Sequence, residues 1–267
     1  MTSYASHYWD GIAIDWQATR PQALWRAHSD AVNVSLMDRW LPRDRVKCIL
    51  KTDVFDEAVG DGLYPLLASR AESVVSMDVS FSTLHVARSR HAKLRAVGAD
   101  TCALPFADGT FDAIVSNSTL DHFHSRDNIV TSLRELRRVL KPGGQLLLTL
   151  DNLANPVIAV RNRLPCPGLN RLGLVPYYVG AACGPRRLSR WLQEAGLEVV
   201  ELTSVMHCPR LLAVQIAGWI HSYASASTQK MFLRWLMKWE RWSRWPTRFL
   251  TGHFIAVRCL ASHGAGS

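Results

Sequence analysis

The sequence predicts an α/β fold, built on a doubly wound and mostly parallel sheet with N-terminal helices and a C-terminal helical cap insertion. Between Val46 and Leu150, short apolar runs alternate with stretches of helical periodicity. Most of these runs follow a turn or loop signal, and Lys141-Pro142-Gly143-Gly144 is the strongest of them. Strands that alternate with helices form parallel β-α-β units, so we expect helices on both faces of the sheet.

Each element is predicted from its local pattern. The first residues form a helical lead that ends at Leu41-Pro42, because the residue before a proline avoids helical angles. The apolar runs predict strands over residues 46–58, 73–78, 111–116, 145–150, 197–205 and 253–260. The periodic stretches predict helices over residues 63–70, 80–97, 128–140 and 186–195.

The predicted elements divide the chain into four parts. Residues 1–45 are the helical lead. Residues 46–208 are the core, in which residues 151–185 form an irregular excursion rich in Pro, Gly and Asn on the substrate side of the sheet. Residues 209–248 separate the last two strands and are too many for a hairpin turn, so we expect an inserted helical cap. Residues 249–267 form the last strand and the tail.

The composition is that of an ordinary globular protein. The 267 residues are 48% hydrophobic and 20% charged, which excludes a disordered chain. The six cysteines include no Cys-x-x-Cys pair, which argues against a zinc ribbon or a disulfide-dense module. Neither a secretory leader nor an apolar run of roughly 20 residues is visible. We expect a soluble, cytoplasmic protein, and the net charge of +9 allows anionic partners.

A glycine-containing turn follows the first predicted strand, in the segment Val54-Phe55-Asp56-Glu57-Ala58-Val59-Gly60-Asp61-Gly62. Glycines there let the backbone approach a ligand, and the next helix presents its N-terminal N–H groups. The second strand ends in Asp78, whose carboxylate can accept hydrogen bonds from both ribose hydroxyls of a nucleoside. A dinucleotide and S-adenosylmethionine (SAM) both contain such a ribose. The dinucleotide fingerprint requires a small residue where this chain has Pro65, so dinucleotide binding is disfavoured.

Three short motifs precede the predicted strand at residues 111–116. They are Ala99-Asp100, then Leu104-Pro105-Phe106, then Asp108-Gly109-Thr110-Phe111-Asp112. This order resembles the class I SAM-dependent methyltransferase family, in particular methyltransferase domains of type 11. The resemblance continues to the glycines at 143 and 144 and covers about residues 46–151. It implies a Rossmann-like sheet, SAM as the cofactor and a methyl-transfer activity, with no metal.

The resemblance also implies roles for the matched positions. Asp78 would hold the ribose, and Asp100 would contact the adenine amino group, with Cys102 or Ala103 nearby. Carboxylates suit the exocyclic amine and the hydroxyls as hydrogen-bond acceptors. The methionine end would be lined by Asp56, Ala58, Gly60 and Gly62, and the cofactor set also includes Ser116 and Asn117.

The first motif departs from the family pattern Asp-x-Gly-x-Gly-x-Gly. Ala58 replaces the first glycine, and its methyl group is tolerated where the backbone φ is negative. Asp53, Glu57 and Asp61 add acidic residues around the turn. These acids either meet the amino group or sulfonium of SAM or are solvated loop charges.

The acceptor side is predicted from residues after the fourth and fifth strands. Methyl transfer from a sulfonium needs alignment and exclusion of water, with a base only where the nucleophile carries a proton. Asp121, His122 and Asp151 are the catalytic candidates, because open α/β sheets bind ligands at the carboxyl edge of their strands. His122 can instead be a packing or SAM-contact residue, and Asp151 can belong to a helix cap. Tyr177 and Tyr178 are expected to lie near the acceptor.

Residues 230–245 have a basic amphipathic pattern. At 100° per residue, one face carries Met231, Phe232, Trp235, Trp239 and Trp242, flanked by Lys and Arg. Such a helix either buries its tryptophans as a cap or lies in an anionic membrane surface. Nucleic acid is not indicated, because no recognised binding module appears.

These observations predict a SAM-dependent methyltransferase for a small-molecule or amphiphilic acceptor with an apolar or aromatic surface. Two alternatives stay open. One is a non-catalytic binding protein with the SAM fold. The other is a methyltransferase peripheral to a membrane, acting on a lipid or lipid-linked acceptor.

Overall fold

A seven-stranded sheet forms the centre of the computed structural model, which describes residues 7–12, 22–164 and 180–262. Its strand order is β3-β2-β1-β4-β5-β7-β6. The first five strands in chain order run parallel, and β7 is antiparallel to both β5 and β6. This confirms the mostly parallel α/β prediction. The strands are β1 Val46–Lys51, β2 Ala71–Asp78, β3 Arg95–Gly98, β4 Phe111–Asn117, β5 Leu140–Asp151, β6 Leu197–Val205 and β7 Phe254–Ala261.

Helices connect the strands and cover the sheet. Residues 7–12 are helical, and short 3₁₀ helices span Leu120–His122 and Trp239–Arg244. Serine side chains at positions 80, 125 and 225 accept a backbone N–H at the start of three helices, the capping that stabilises helix N-termini. The α-helices are α1 Ala23–Trp40, α2 Phe55–Val59, α3 Tyr64–Arg70, α4 Phe81–Arg90, α5 Arg126–Val139, α6 Pro156–Arg163, α7 Pro185–Glu194, α8 Arg210–Tyr223, α9 Ala226–Lys238 and α10 Arg248–Thr251.

The sheet is buried on both faces, as a doubly wound fold requires. Successive residues of a strand point to opposite faces. Ile114 and Leu148 accordingly pack with α5 and α7 in one core cluster. Val115 and Leu147 pack with α1, α3, α8 and α9 in the other. The near-continuous apolar runs of the central strands follow from this double burial.

The segment between β6 and β7 forms helices α8, α9 and α10 and one 3₁₀ helix. Both α8 and α9 pack on α1. The segment starts and ends at one point of the sheet, because Val205 pairs with Phe254 and the His253 N–H bonds to the Met206 carbonyl. Among the residues that the structure describes, no helix is both long and apolar enough to cross a bilayer.

Three predicted elements have different bounds in the structure. The strand predicted over 46–58 ends at Lys51 and is followed by α2, because Asp56 and Glu57 in the first turn stabilise a helix N-terminus. The helix predicted over 80–97 ends at Arg90, and β3 follows at the sheet edge. The helix predicted over 230–245 is two elements, α9 and the 3₁₀ helix.

The turn predicted at residues 141–144 does not form a separate loop, because this segment lies within β5. Gly143 has a φ of +73°, and the β4–β5 register shifts between Phe111 and Ala113. The two glycines therefore form an irregularity within β5, and the strand continues through them.

Candidate functional site

A cavity of about 560 Å³ opens at the carboxyl edge of the parallel strands. This volume is in the range of small-molecule sites. The residues that line it come from the segments that leave β1, β2, β3 and β4, from the helices at residues 7–12 and in α1, and from the start of α8. The carboxyl edge is where open α/β sheets bind ligands. The strand-end residues on the cavity include Thr52, Asp53, Asp78, Asp100, Asn117 and Thr119.

Asp78 ends β2 and lines this cavity. Its two carboxylate oxygens accept one backbone N–H each, from Val54 at 3.1 Å and from Ser80 at 2.9 Å. Burial raises the pKa of Asp78 to about 6, although these two hydrogen bonds oppose the shift. Each oxygen keeps further acceptor capacity for the hydroxyls of a ligand.

Asn117 ends β4 and has an unsatisfied side chain. Neither its amide oxygen nor its amide nitrogen has a hydrogen-bond partner among the described residues, although both are buried. Buried polar groups are almost always paired, so an unpaired amide on a cavity wall indicates a ligand.

A buried charge cluster supports the cavity beneath α2. Lys51 is fully buried, and its Nζ lies 2.8 Å from Glu57 Oε2 and 3.2 Å from Asp53 Oδ1. Burial opposes the charge of Lys51, but the two carboxylates prevail and raise the pKa of the ammonium group above its ordinary value. Burial raises the pKa of Asp53, against the opposing effect of Lys51. Asp53 alone of these three lines the cavity.

Asp56, on the first turn of α2, forms a salt bridge with Arg26 of α1. Both residues line the cavity. Burial raises the pKa of Asp30, also on α1, to about 7, and the negative charge of Asp56 adds to this shift. The wall of the cavity between α1 and α2 therefore carries a paired carboxylate and guanidinium, those of Asp56 and Arg26.

Ala58, Gly60 and Gly62 of the glycine motif are not among the residues that line the cavity. Ala58 packs in a small core cluster with Val54 and Leu84. Gly60 and Gly62 follow α2 and are not among the lining residues. The Gly60 N–H bonds to the Asp56 carbonyl, and the Gly62 turn closes around Glu57. The helix α2 therefore occupies the place in which the motif predicted a glycine loop.

Of the remaining predicted cofactor residues, some line the cavity and others do not. Asp100 lines the cavity, and its Oδ1 accepts the Cys102 N–H at 2.8 Å. Cys102 directs its sulfur toward Ser132 on α5, 3.3 Å away, and Ala103 closes the turn with the Asp100 carbonyl. Ser116 is buried in the sheet with Thr52. Cys102, Ala103 and Ser116 are not among the lining residues.

Of the three catalytic candidates, His122 lines the cavity, with its ring 4.6 Å from that of Trp9. Asp121 and Asp151 are buried and are not among the lining residues. Asp121 accepts the Ser118 hydroxyl at 2.8 Å and the Asp151 N–H at 3.2 Å.

The buried carboxylate of Asp121 accepts a hydrogen bond from Ser118 and so positions it. Ser118 has the left-handed φ of +48° and lies on the cavity wall. Burial raises the pKa of Asp121 to about 6, while His122 lowers it and Asp151 raises it. Asp151 itself pairs with Arg161 and lies 3.6 Å from His253. The Asp151 carboxylate is therefore engaged by other protein groups, whereas Asp121 keeps one buried oxygen, Oδ1, without a hydrogen bond among the described residues.

Several lining residues carry no signal in the sequence. Trp9 and Ile12 come from the short N-terminal helix, Trp25 and Asn33 from α1, and Arg210 from the first turn of α8. Arg210 donates to His253 at 2.8 Å and lies over the Trp25 ring. These residues reach the site only through tertiary packing. Tyr177 and Tyr178 lie outside the described residues.

Comparison with known proteins identifies the central part of the chain. Residues 55–148 match the family described as a methyltransferase domain. The demethylmenaquinone methyltransferase of Corynebacterium kroppenstedtii is 39% identical over 108 residues, which are 40% of this chain and 44% of that protein. This chain thus spans less than half the length of that relative.

Solved structures share the whole fold at low identity. A Haloferax volcanii chain in complex with the Trm112 methyltransferase activator has a TM-score of 0.63 at 16% identity, over 95% of this chain and 99% of that one. Geranyl diphosphate C-methyltransferase from Streptomyces coelicolor has a TM-score of 0.57 at 12% identity, over 86% and 77%. At these identities the likeness shows the fold alone.

Proposed function

We propose that this chain, which belongs through residues 55–148 to the class I SAM-dependent methyltransferases, transfers a methyl group from SAM to a small, amphiphilic acceptor. One observation carries the proposal. The carboxylates of Asp53, Asp56 and Asp78 and the unpartnered amide of Asn117 line the same cavity at the carboxyl edge of the sheet. This set suits a cationic ligand that also carries hydroxyl groups.

The cavity residues fit the chemical groups of SAM. Asp78 offers acceptor capacity to ribose hydroxyls, and Asp100 offers it to an exocyclic amine. Asp53 and Asp56 supply negative charge for a ligand with an ammonium and a sulfonium group. Asn117 can donate to one ligand group and accept from another. When bound, SAM supplies a methyl group that its positive sulfur makes electrophilic.

The acceptor end is formed by aromatic and basic residues. Trp9, Trp25 and Phe254 line the cavity and reduce the access of water, which favours an apolar part in the acceptor. Arg210 supplies a positive charge on the same cavity. For an acceptor whose nucleophile carries a proton, His122 is the one of the three catalytic candidates that can take it, because Asp121 and Asp151 do not line the cavity; His124 lines the same cavity.

Calorimetric titration tests the donor site. We expect SAM and S-adenosylhomocysteine to bind the wild type, and Asp78→Ala to weaken both by at least about tenfold, since a hydrogen bond to a charged group is lost. Asp61→Ala is the matched control, because Asp61 is exposed in the turn after α2 and is not a lining residue. Absence of binding by the wild type, or equal binding by the Asp78 variant, would overturn the proposal.

A lipid or lipid-linked acceptor is the second candidate for the substrate. It is favoured by one observation, that several tryptophans of the cap are exposed while the cap also contributes Arg210 to the cavity. A methyl-transfer assay with short- and long-chain members of one acceptor series would separate the two. A preference for the long-chain members only in the presence of vesicles would support the lipid acceptor, and equal rates would exclude it.

A further inference from the structure

The helix α8 is apolar on two faces. Its inner face places Ala213 and Ala217 in the core shared with α1. Its outer face carries Leu212, Ile216 and Trp219 at the i, i+4, i+7 spacing of one helix face. All three are exposed, and the Trp219 side chain is 66% accessible. A water-facing helix normally presents polar residues there, so this face indicates a partner.

The neighbouring segment continues this surface. Phe232 and Leu236 of α9 point inward, whereas Met231 and Trp235 are exposed. Beyond α9, the exposed rings of Trp242 and Trp245 extend the row, and neighbouring aromatic rings from Trp235 onward lie 4.9 to 6.3 Å apart. Because α8 and α9 both pack on α1 and contact each other, each turns its exposed residues away from α1. We call this surface the cap face; it consists of Leu212, Ile216, Trp219, Tyr223, Met231, Trp235, Trp242 and Trp245.

The charge around the cap face has a single sign. From residue 210 to 250 there is one acidic residue, Glu240, and its carboxylate accepts the backbone N–H groups of Met206 and His207. Five basic residues of this segment are exposed and form no ion pair within the described part of the chain. They are Lys230, Arg234, Lys238, Arg241 and Arg244.

A second cavity, of about 490 Å³, lies between α1 and the 3₁₀ helix Trp239–Arg244, and the cap-face residues do not line it. Arg39, Arg241 and Arg244 line it. Glu240 also lines it, but its oxygens are already engaged by backbone N–H groups. Three guanidinium groups around one concave site suit a phosphate group.

We infer that the cap face binds the surface of an anionic phospholipid bilayer. Tryptophan and tyrosine prefer the headgroup region, where an apolar ring and a polar N–H or O–H are both satisfied. The flanking Lys and Arg reach the lipid phosphates. A second copy of the chain is a poorer partner, because a symmetric contact would bring two basic surfaces together.

The binding surface is joined to the candidate site through α8. Arg210 begins this helix and lines the large cavity, whereas Trp219 and Tyr223 near its other end lie on the cap face. Resting on the proposed function, this arrangement assigns the acceptor to molecules dissolved in the bilayer.

Vesicle flotation of the full chain tests the inference, with vesicles of phosphatidylcholine alone or mixed with phosphatidylglycerol. We expect binding to the mixed vesicles at low salt, with a decrease as salt rises. The triple variant Trp219→Gln, Trp235→Gln, Trp245→Gln should bind at least about tenfold more weakly. Its control replaces three exposed valines outside the cap face, Val157, Val160 and Val200, by Gln and should bind as the wild type does.

A second pair of variants tests the charge. Replacement of Arg234, Lys238 and Arg241 by Gln should lower binding to the mixed vesicles by about tenfold or more. The same loss of three charges at the exposed residues Arg88, Arg90 and Arg134 should have little effect. The affinity of every variant for S-adenosylhomocysteine, measured by titration, separates a failure of docking from a failure of the donor site.

Three results would overturn the inference. The first is the absence of vesicle binding by the wild type at low salt. The second is an equal loss of binding in the variants and in their controls. The third is a wild-type dimer in light scattering that the tryptophan variant converts to a monomer, without vesicle binding, because a second copy would then cover the cap face.

Discussion

Gly62 packs directly against the side chain of Glu57. A β-carbon at Gly62 would lie 2.5 Å from Glu57 Oε1, and the φ of Gly62 is +54°. The same Oε1 accepts the Leu63 N–H at 2.9 Å, and Oε2 bonds to Lys51. The glycine of the sequence motif thus makes room for the buried charge cluster under α2.

Gly62→Ala is expected to destabilise the protein by about 1–3 kcal/mol, because the side chain meets both a positive φ and the Glu57 carboxylate. Gly218→Ala is the control. Nothing lies within 4 Å of a β-carbon there, and the position is in α8, so a gain of about 0.5–1 kcal/mol is expected. Urea unfolding measures both. Equal effects of the two substitutions would contradict the role given to Gly62.

Lys51→Met should destabilise the protein more than Gly62→Ala does, since it leaves the buried Glu57 and Asp53 without their cation. Breaking a buried pair in this way costs about 3–5 kcal/mol. Adding Glu57→Gln should restore part of the loss in urea unfolding. Lys141→Met removes a partly exposed pair with Asp112 and should cost no more than about 1 kcal/mol. If Lys51→Met lowered the free energy of unfolding only slightly, the buried charge cluster would contribute little to stability.

Asn117→Leu should change stability and affinity in opposite directions. The apoprotein should be at least as stable as the wild type, because an unsatisfied buried amide is removed. Affinity for S-adenosylhomocysteine should fall by about tenfold. Thermal unfolding with and without the ligand measures both effects. Lower stability with unchanged affinity would show that Asn117 acts in the fold alone.

The stability of the apoprotein should depend on pH through Asp121. Burial raises the pKa of this carboxyl from 3.8 to about 6, so the folded state retains a proton that the unfolded chain releases. This contribution to stability is present below about pH 4 and is lost as pH rises through about 6. Asp121→Asn removes the dependence while an amide oxygen still accepts from Ser118 or the Asp151 N–H.

The Asn variant should therefore gain stability relative to the wild type between about pH 4 and pH 7. Urea unfolding at both pH values gives the comparison. A constant difference between the two proteins across this interval would show that Asp121 titrates in the folded state as it does in the unfolded chain.

The alternation of apolar runs and helical periods was sufficient to predict the parallel sheet. It was insufficient for β3, because this four-residue edge strand is only partly buried and has no apolar run between Arg95 and Gly98. It also extended β1 too far. Val54 and Phe55 continue an apolar pattern, but the acidic residues after them begin α2. Short elements at the sheet edge and at its turns thus depend on tertiary contacts.

The residues of the candidate site could likewise be predicted only in part. Asp78, Asn117 and His122 could be placed on the cavity, because each ends or follows a strand whose end was predicted, whereas Asp56 and Asp100 were placed there by the resemblance alone. Ala58, Gly60 and Gly62 are not among the residues that line the cavity, and α2 stands where a loop was expected. The wall formed by residues 7–12 and by α1 had no local pattern that points to the sheet edge. Its residues arrive there by packing between distant parts of the chain.

The pairing of Val205 with Phe254 has an evolutionary consequence. A long segment leaves the sheet and returns to it at a single rung of the β6–β7 ladder. Insertions with closely spaced ends are tolerated well, because they leave the hydrogen bonding of the host strands intact. The segment can therefore change in length or sequence without changing the pairing of the strands on either side of it.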